Sequence, residues 1–219
     1  MSRFIAALIR HAEYQQLPDT PSAHQPFPLT GKGREQAHRA VGKLQQDAAR
    51  HGWGIAEELH SSQLLRAWET ANIIAEQLEG THTVTAFAEL AERSVGSAAN
   101  LTLQQIEDVV NEDPRYAPLP EDWKSNSRFC LPLQGAESLV QAGERVAAHL
   151  KFAMQLLKEQ ASEDTVKVFV GHGAAMRHAA YSLGVLRFED IARLSMYHAE
   201  PVYFECILYE KSITFNLGF

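Results

Sequence analysis

The chain has 219 residues, 45% of them apolar and 21% charged, a balance that supports a sizeable buried core and argues against wholesale disorder. Its 27 acidic and 20 basic residues give a formal charge of −7, which disfavours a protein that coats nucleic acid or an anionic membrane. The length fits one domain, with or without an inserted cap.

In chain order, the first apolar run is Phe4–Ile9. Six residues are too few for a signal-peptide core or a membrane span, so the run reads as a buried strand. A Pro-rich loop follows from Leu17 to Leu29, with Pro18, Pro21, Pro26 and Pro28; long loops in compact enzymes tend to be functional. Thr30 is placed to cap a helix whose apolar face is Ala37, Val41, Leu44 and Ala48. Glu58–Ser61 reads as a strand, Leu65–Leu78 as a helix, and Val84–Phe87 as another strand. Between Gly96 and Gln134 the periodicity fades and Pro114, Pro118, Pro120, Trp123 and Pro132 cluster. One short helix fits Leu103–Val110. This stretch reads as a cap or lid insertion, too small to bury a core of its own. Ala136–Leu157 is a long helix, Val166–Val170 a strand, Ala174–Leu183 the helix after it, and Val202–Tyr209 and Ile213–Phe215 close the chain as strands. The alternation points to an α/β fold, a three-layer sandwich with a mostly parallel central sheet flanked by helices, plus the small cap insertion.

Two histidines share one local setting. His11 follows the first strand, and His172 follows the strand Val166–Val170 within VFVGHGAAMR. In an open α/β sheet ligands bind at the carboxyl ends of strands, so both rings should enter one crevice. Gly171 and Gly173 would permit a tight turn and close approach of backbone to a ligand. A lone loop histidine is more often satisfied by backbone than catalytic; a pair at matching strand ends is less readily explained that way. Arg10 adjoins His11, and Arg66 opens the helix after Ser61–Ser62. Guanidinium forks suit phosphate oxygens, and a helix amino terminus adds donors. Taken alone, Arg66 would pass for a solvated helix residue. Cys130 and Cys206 form no metal-ligand motif and read as two reduced thiols of a cytoplasmic protein, with one disulfide left open. No Walker loop, HExxH or G-x-S-x-G is present.

Six blocks carry a resemblance: LIRHAE (Leu8–Glu13), PLTGKGREQA (Pro28–Ala37), SSQLLRAWETA (Ser61–Ala71), LAERSVG (Leu90–Gly96), GAESL (Gly135–Leu139) and GHGAAMR (Gly171–Arg177). In this order and spacing the chain resembles the histidine phosphatase superfamily, which includes phosphoglycerate mutases and many small-molecule phosphatases. The resemblance implies that His11 attacks phosphorus and carries the phosphoryl group, with Arg10, Arg66 and His172 as the phosphate-binding pocket and His172 also catalytic. It implies Glu92 as the acid that protonates the leaving oxygen, a role that needs a protonated carboxyl. Glu89 is its competitor, and Glu137 an orienting partner. No metal and no cofactor is called for.

The sequence departs from the family pattern in three places. Ala12 stands where glycine is usual, which matters only if the backbone there needs positive φ. The asparagine often found after the first block is missing, with Gln15 or Gln16 as substitutes. Ser97-Ala98-Ala99-Asn100 replaces an expected aromatic after Gly96, which points to an altered substrate side. Tyr14, Trp123, Arg128 and His178 are candidates for an outer pocket, each equally readable as packing or surface.

The expected activity is hydrolysis of a small phosphomonoester, with a phosphoprotein substrate left open. Nucleic acid and membrane are not expected partners, and a homodimer stays open. A phosphoglycerate-type mutase is the first alternative. Such an enzyme usually needs a longer, more basic insert, whereas this one sets Arg115, Lys124 and Arg128 against Glu107, Asp108, Glu112, Asp113, Glu121 and Asp122. A non-catalytic phosphate-binding module is the second; it would be expected to have lost some of the histidines, arginines and acid.

Overall fold

The computed structural model describes residues 2–208 and 213–218. Strand β1 (Phe4–Arg10) lies at the centre of a sheet ordered β4-β3-β5-β1-β6-β7. It is apolar at six successive positions because both of its faces are covered. Ile5, Ala7 and Ile9 enter the cluster under helices α1 (Gly31–His51) and α2 (Leu65–Gln77). Phe4, Ala6 and Leu8 enter the cluster under α4 (Leu139–Gln160) and α5 (Gly173–Ser182). Strand alternation thus feeds two cores from one run of residues.

Strands β3 (Glu58–Ser62), β4 (Thr83–Phe87) and β5 (Thr165–Gly171) run parallel to β1, and the short β2 (Gly54–Ile55) pairs with the start of β5. Strand β6 (Pro201–Leu208) runs antiparallel to β1, and β7 (Ile213–Leu217) antiparallel to β6. The expected mostly parallel α/β sandwich is present, and the tail supplies the antiparallel edge. Tyr209, the expected end of the penultimate strand, lies outside the described residues.

Helix boundaries follow their caps. The Thr30 side chain accepts the Gly33 amide and starts α1. The long helix starts at Leu139, three residues later than its apolar pattern suggested, because Ser138 and Gln141 form a reciprocal capping box. A similar box, Thr102 with Gln105, starts α3 (Leu103–Glu112).

The stretch from Gly96 to Gln134 packs against the Pro-rich loop. It closes around a third apolar cluster containing Ala98, Ile106, Trp123 and Leu131, with Val95 before it and Ala23 from the Pro-rich loop. The amide of Leu103 donates to the carbonyl of Asp19, tying α3 to that loop. The core it buries is therefore shared with a distant loop.

Candidate active site

In the β1–β5 register Arg10 stands opposite Gly171, so His11 and His172 are the next residues off two adjacent parallel strands. The His11 amide donates to the Gly171 carbonyl at 2.8 Å, and the two rings sit 5.1 Å apart. His11 is 2% exposed and His172 fully buried. Nδ1 of His11 lies 2.8 Å from the Ala12 carbonyl. A carbonyl can only accept, so Nδ1 carries the hydrogen and Nε2 of the neutral ring holds a free lone pair. Burial, then the charge of Arg66, holds the His11 pKa well below the ordinary imidazole value, with Arg10 adding to the effect. Burial and the Arg66 charge do the same to His172.

Arg66 is fully buried, which overturns the reading of it as a solvated helix residue. Its guanidinium donates to the carbonyls of Ala23 (2.8 Å), Gln25 (3.1 Å) and Ser22 (3.4 Å) in the Pro-rich loop. Nη2 also lies 3.2 Å from Nδ1 of His172. Nδ1 therefore accepts, and Nε2–H of neutral His172 donates to the Ser62 hydroxyl at 2.9 Å. The Arg66 guanidinium packs 4.5 Å from the Tyr14 ring centre, and Tyr14 meets His11 edge-on at 5.3 Å. Arg10 donates to the Met196 carbonyl at 3.3 Å. Burial lowers the pKa of both arginines, and the negative charge of Glu92 opposes that shift in both.

Glu92 lies on the wall of a cavity of about 490 Å³. Its Oε1 accepts the amides of Arg93 (2.9 Å) and Ala175 (3.2 Å), the latter in the first turn of α5. These bonds leave Oε2 as the oxygen available for a proton. Glu89 is exposed and absent from the cavity wall. Glu137 accepts the Ser94 amide at 3.0 Å and pairs with Arg145. Arg145 in turn donates to the carbonyls of Glu89 (2.7 Å) and Ala91 (3.1 Å), so the pair fixes the segment that carries Glu92.

Other expectations sort out on the same geometry. Ala12 is buried, does not have a positive φ, and donates its amide to Thr70 Oγ1, so its methyl group is accommodated. Gln15 and Gln16 are exposed, and the Gln16 side-chain amide donates to the Thr20 carbonyl. Gly173 has no positive φ. A Cβ there would meet the Arg10 side chain at 3.1 Å, so the glycine makes room for Arg10 rather than for a turn. Trp123 is core and Arg128 stacks on Phe188, whereas His178 does line the cavity. Residues 97–100 are absent from its wall, and Ala98 packs in the third cluster. Both cysteines are free thiols.

Two contributions escaped the sequence reading. His198 donates Nδ1–H to the His11 carbonyl at 2.7 Å, its ring 5.4 Å from that of His11. It precedes β6, far along the chain, with no motif around it. Arg177 belongs to a quoted block but carried no separate signal; it lines the cavity. Among the described residues no group of His, Cys, Asp or Glu could hold a metal ion, and no helix is long and apolar enough to cross a membrane.

The family profile of the histidine phosphatase superfamily (branch 1) matches residues 6–213. The chain belongs to this superfamily. Its fold is similar to that of several solved proteins. Mycobacterial hydrolase 2 matches with a TM-score of 0.73 at 20% identity, over 100% of this chain and 91% of that one. A mycobacterial glucosyl-3-phosphoglycerate phosphatase, solved with inorganic phosphate, gives 0.67 at 20% over 100% and 96%. A putative alpha-ribazole-5'-P phosphatase from Escherichia coli gives 0.66 at 20% over 99% and 96%. A comparison with curated proteins finds no match.

Proposed function

We propose that the protein is a phosphatase that hydrolyses a small phosphomonoester through a phosphohistidine at His11. The observation that carries this reading is the fixed tautomer of His11: Nδ1–H is held by the Ala12 carbonyl, and the lone pair on Nε2 is free. In the first step Nε2 forms a bond to phosphorus as the ester P–O bond breaks. The leaving oxygen takes the proton of the Glu92 carboxyl. In the second step water attacks phosphorus, the N–P bond breaks, and Glu92 takes the water's proton. Arg10 and Arg66 bring fixed positive charge to the equatorial oxygens of the transferring group, and His172 binds it by turning its Nε2–H from the Ser62 hydroxyl to a phosphoryl oxygen.

The stretch 96–134 acts as a cap over the cavity, to whose wall Lys124, Ser125 and Ser127 contribute. Its excess of acidic over basic residues supports transfer to water over return to a bound phosphoglycerate. Fold relatives named as phosphatases of glucosyl-3-phosphoglycerate and alpha-ribazole phosphate support the same choice. The test is hydrolysis of an aryl phosphate with chelator present. Wild type is expected to release phosphate and His11→Ala to release none while keeping its fold. Activity that survives in His11→Ala, or that disappears with chelator, contradicts the reading.

A further inference from the structure

The backbone at a residue is set by what holds the peptide units on either side of its Cα, because each unit is planar and only φ and ψ can turn between them. At His11 both units are held at both ends. Before it, the His11 amide donates to the Gly171 carbonyl at 2.8 Å, and the Arg10 carbonyl accepts the Ala199 amide at 2.8 Å. After it, the Ala12 amide donates to Thr70 Oγ1 at 3.0 Å, and the His11 carbonyl accepts Nδ1–H of His198 at 2.7 Å. Neighbouring backbone fixes the first unit. The second lies beyond the end of β1 and depends on two side chains.

The segment that carries His198 turns sharply to reach this place. The regular β1–β6 ladder ends at the pair Ile9 and Pro201, and proline has no amide to donate. Two residues before Pro201, Ala199 has a φ of 55°, in the left-handed region that residues with a Cβ rarely adopt. Through that turn the Ala199 amide meets the Arg10 carbonyl, and the ring of His198 meets the next carbonyl along. Met196, in the same segment, accepts Nη1 of Arg10 at 3.3 Å. A non-glycine residue at positive φ persists only where its surroundings sustain it, and such positions cluster at functional sites.

We infer that His198 is a positioning residue for His11: its Nδ1–H pins the peptide unit between His11 and Ala12, and with it the direction in which the ring presents Nε2. The path is short. The Ala12 carbonyl that holds Nδ1–H of His11 follows directly on the carbonyl that His198 holds. A swing of the peptide unit between them would loosen the tautomer and the aim of the lone pair together. Attack on phosphorus needs that aim held to a fraction of an ångström. The inference deepens the phosphatase reading and rests on it for the reaction, whereas the tautomer of His11 is measured without turnover.

Three variants separate the donor from the shape of the ring. Asparagine places its amide nitrogen where Nδ1 of histidine stands, leucine has a similar outline with no donor, and glutamine carries its amide one carbon further out. In His198→Leu, kcat/KM on 4-nitrophenyl phosphate should fall roughly ten- to hundredfold, the penalty of a displaced nucleophile. The Kd of inorganic phosphate, measured by calorimetry, should stay as in wild type. His198→Asn should regain most of the loss and His198→Gln little of it. In ¹⁵N NMR the His11 ring signals are assigned by their absence from His11→Ala. They should show Nδ1 protonated and Nε2 bare in wild type and His198→Asn, and should draw together in His198→Leu as the tautomers mix. Should His198→Leu fail to fold, His198→Gln takes its place in both readouts. An unmoved His11 ring in the variant without the donor, or equal losses in His198→Asn and His198→Gln, overturns the positioning role and leaves the phosphatase reading intact. If wild type hydrolyses no ester while the ring signals still move and return with asparagine, the positioning stands and the phosphatase reading falls. No hydrolysis and no movement overturns both.

Discussion

The rings of His11 and His172 lie 5.1 Å apart, tilted by 55°, as the residues that leave two neighbouring parallel strands at the same level. The relationship comes from register. Once Arg10 is paired with Gly171, the two imidazoles emerge side by side, as the proposed mechanism requires.

The proposed acid role of Glu92 can be tested by leaving group. Glu92→Gln keeps the size and can still accept a backbone amide but cannot supply a proton. Its kcat/KM on an alkyl phosphate should fall about 10²–10⁴-fold. On 4-nitrophenyl phosphate, whose leaving oxygen needs no proton, the loss should be far smaller. Equal losses on both esters would assign the acid elsewhere.

Arg66 should matter to the fold as much as to the reaction, since three loop carbonyls depend on it. Arg66→Met strands those buried acceptors, so the stability read from urea unfolding should drop by about 3 kcal/mol. Activity should fall about 10²–10³-fold with the loss of one pocket cation. Unchanged stability with lost activity would mean that the loop is held by something else.

Stability should decline as solutions become acidic. Burial lowers the pKa of His11, His60, His149, His172, His178 and His198. In the unfolded chain these rings take up protons once the pH falls through the ordinary value of 6.5, while in the folded chain they resist. The unfolded state then binds more protons, so stability is full above that pH and lost below it. For His60, buried against His149 and Phe169 and lowered to about 4, the loss continues to that pH. The urea midpoint should therefore be lower at about pH 5 than at about pH 7.5. A flat or rising midpoint would contradict the burial of these rings in neutral form.

Much of this architecture could be read from sequence because it rests on local rules. Six apolar residues in a row marked β1 as buried on both faces, and Thr30 marked where α1 begins. What could not be read depended on partners distant in the chain. The burial of Arg66 needs the carbonyls of residues 22–25, and the core of the stretch 96–134 needs Ala23. His198 reaches His11 only because β6 returns antiparallel beside β1. Gly173 looked like a turn residue because nothing local shows that Arg10 packs over it.

The central claim is that His11 carries the phosphoryl group. Rapid quenching of wild-type protein with a ³²P-labelled phosphomonoester, followed by peptide mapping, tests it most directly. The account predicts an acid-labile, base-stable label on His11 that appears before free phosphate and is absent from His11→Ala. Release of phosphate with no labelled protein at any time, or label that persists in His11→Ala, would contradict it.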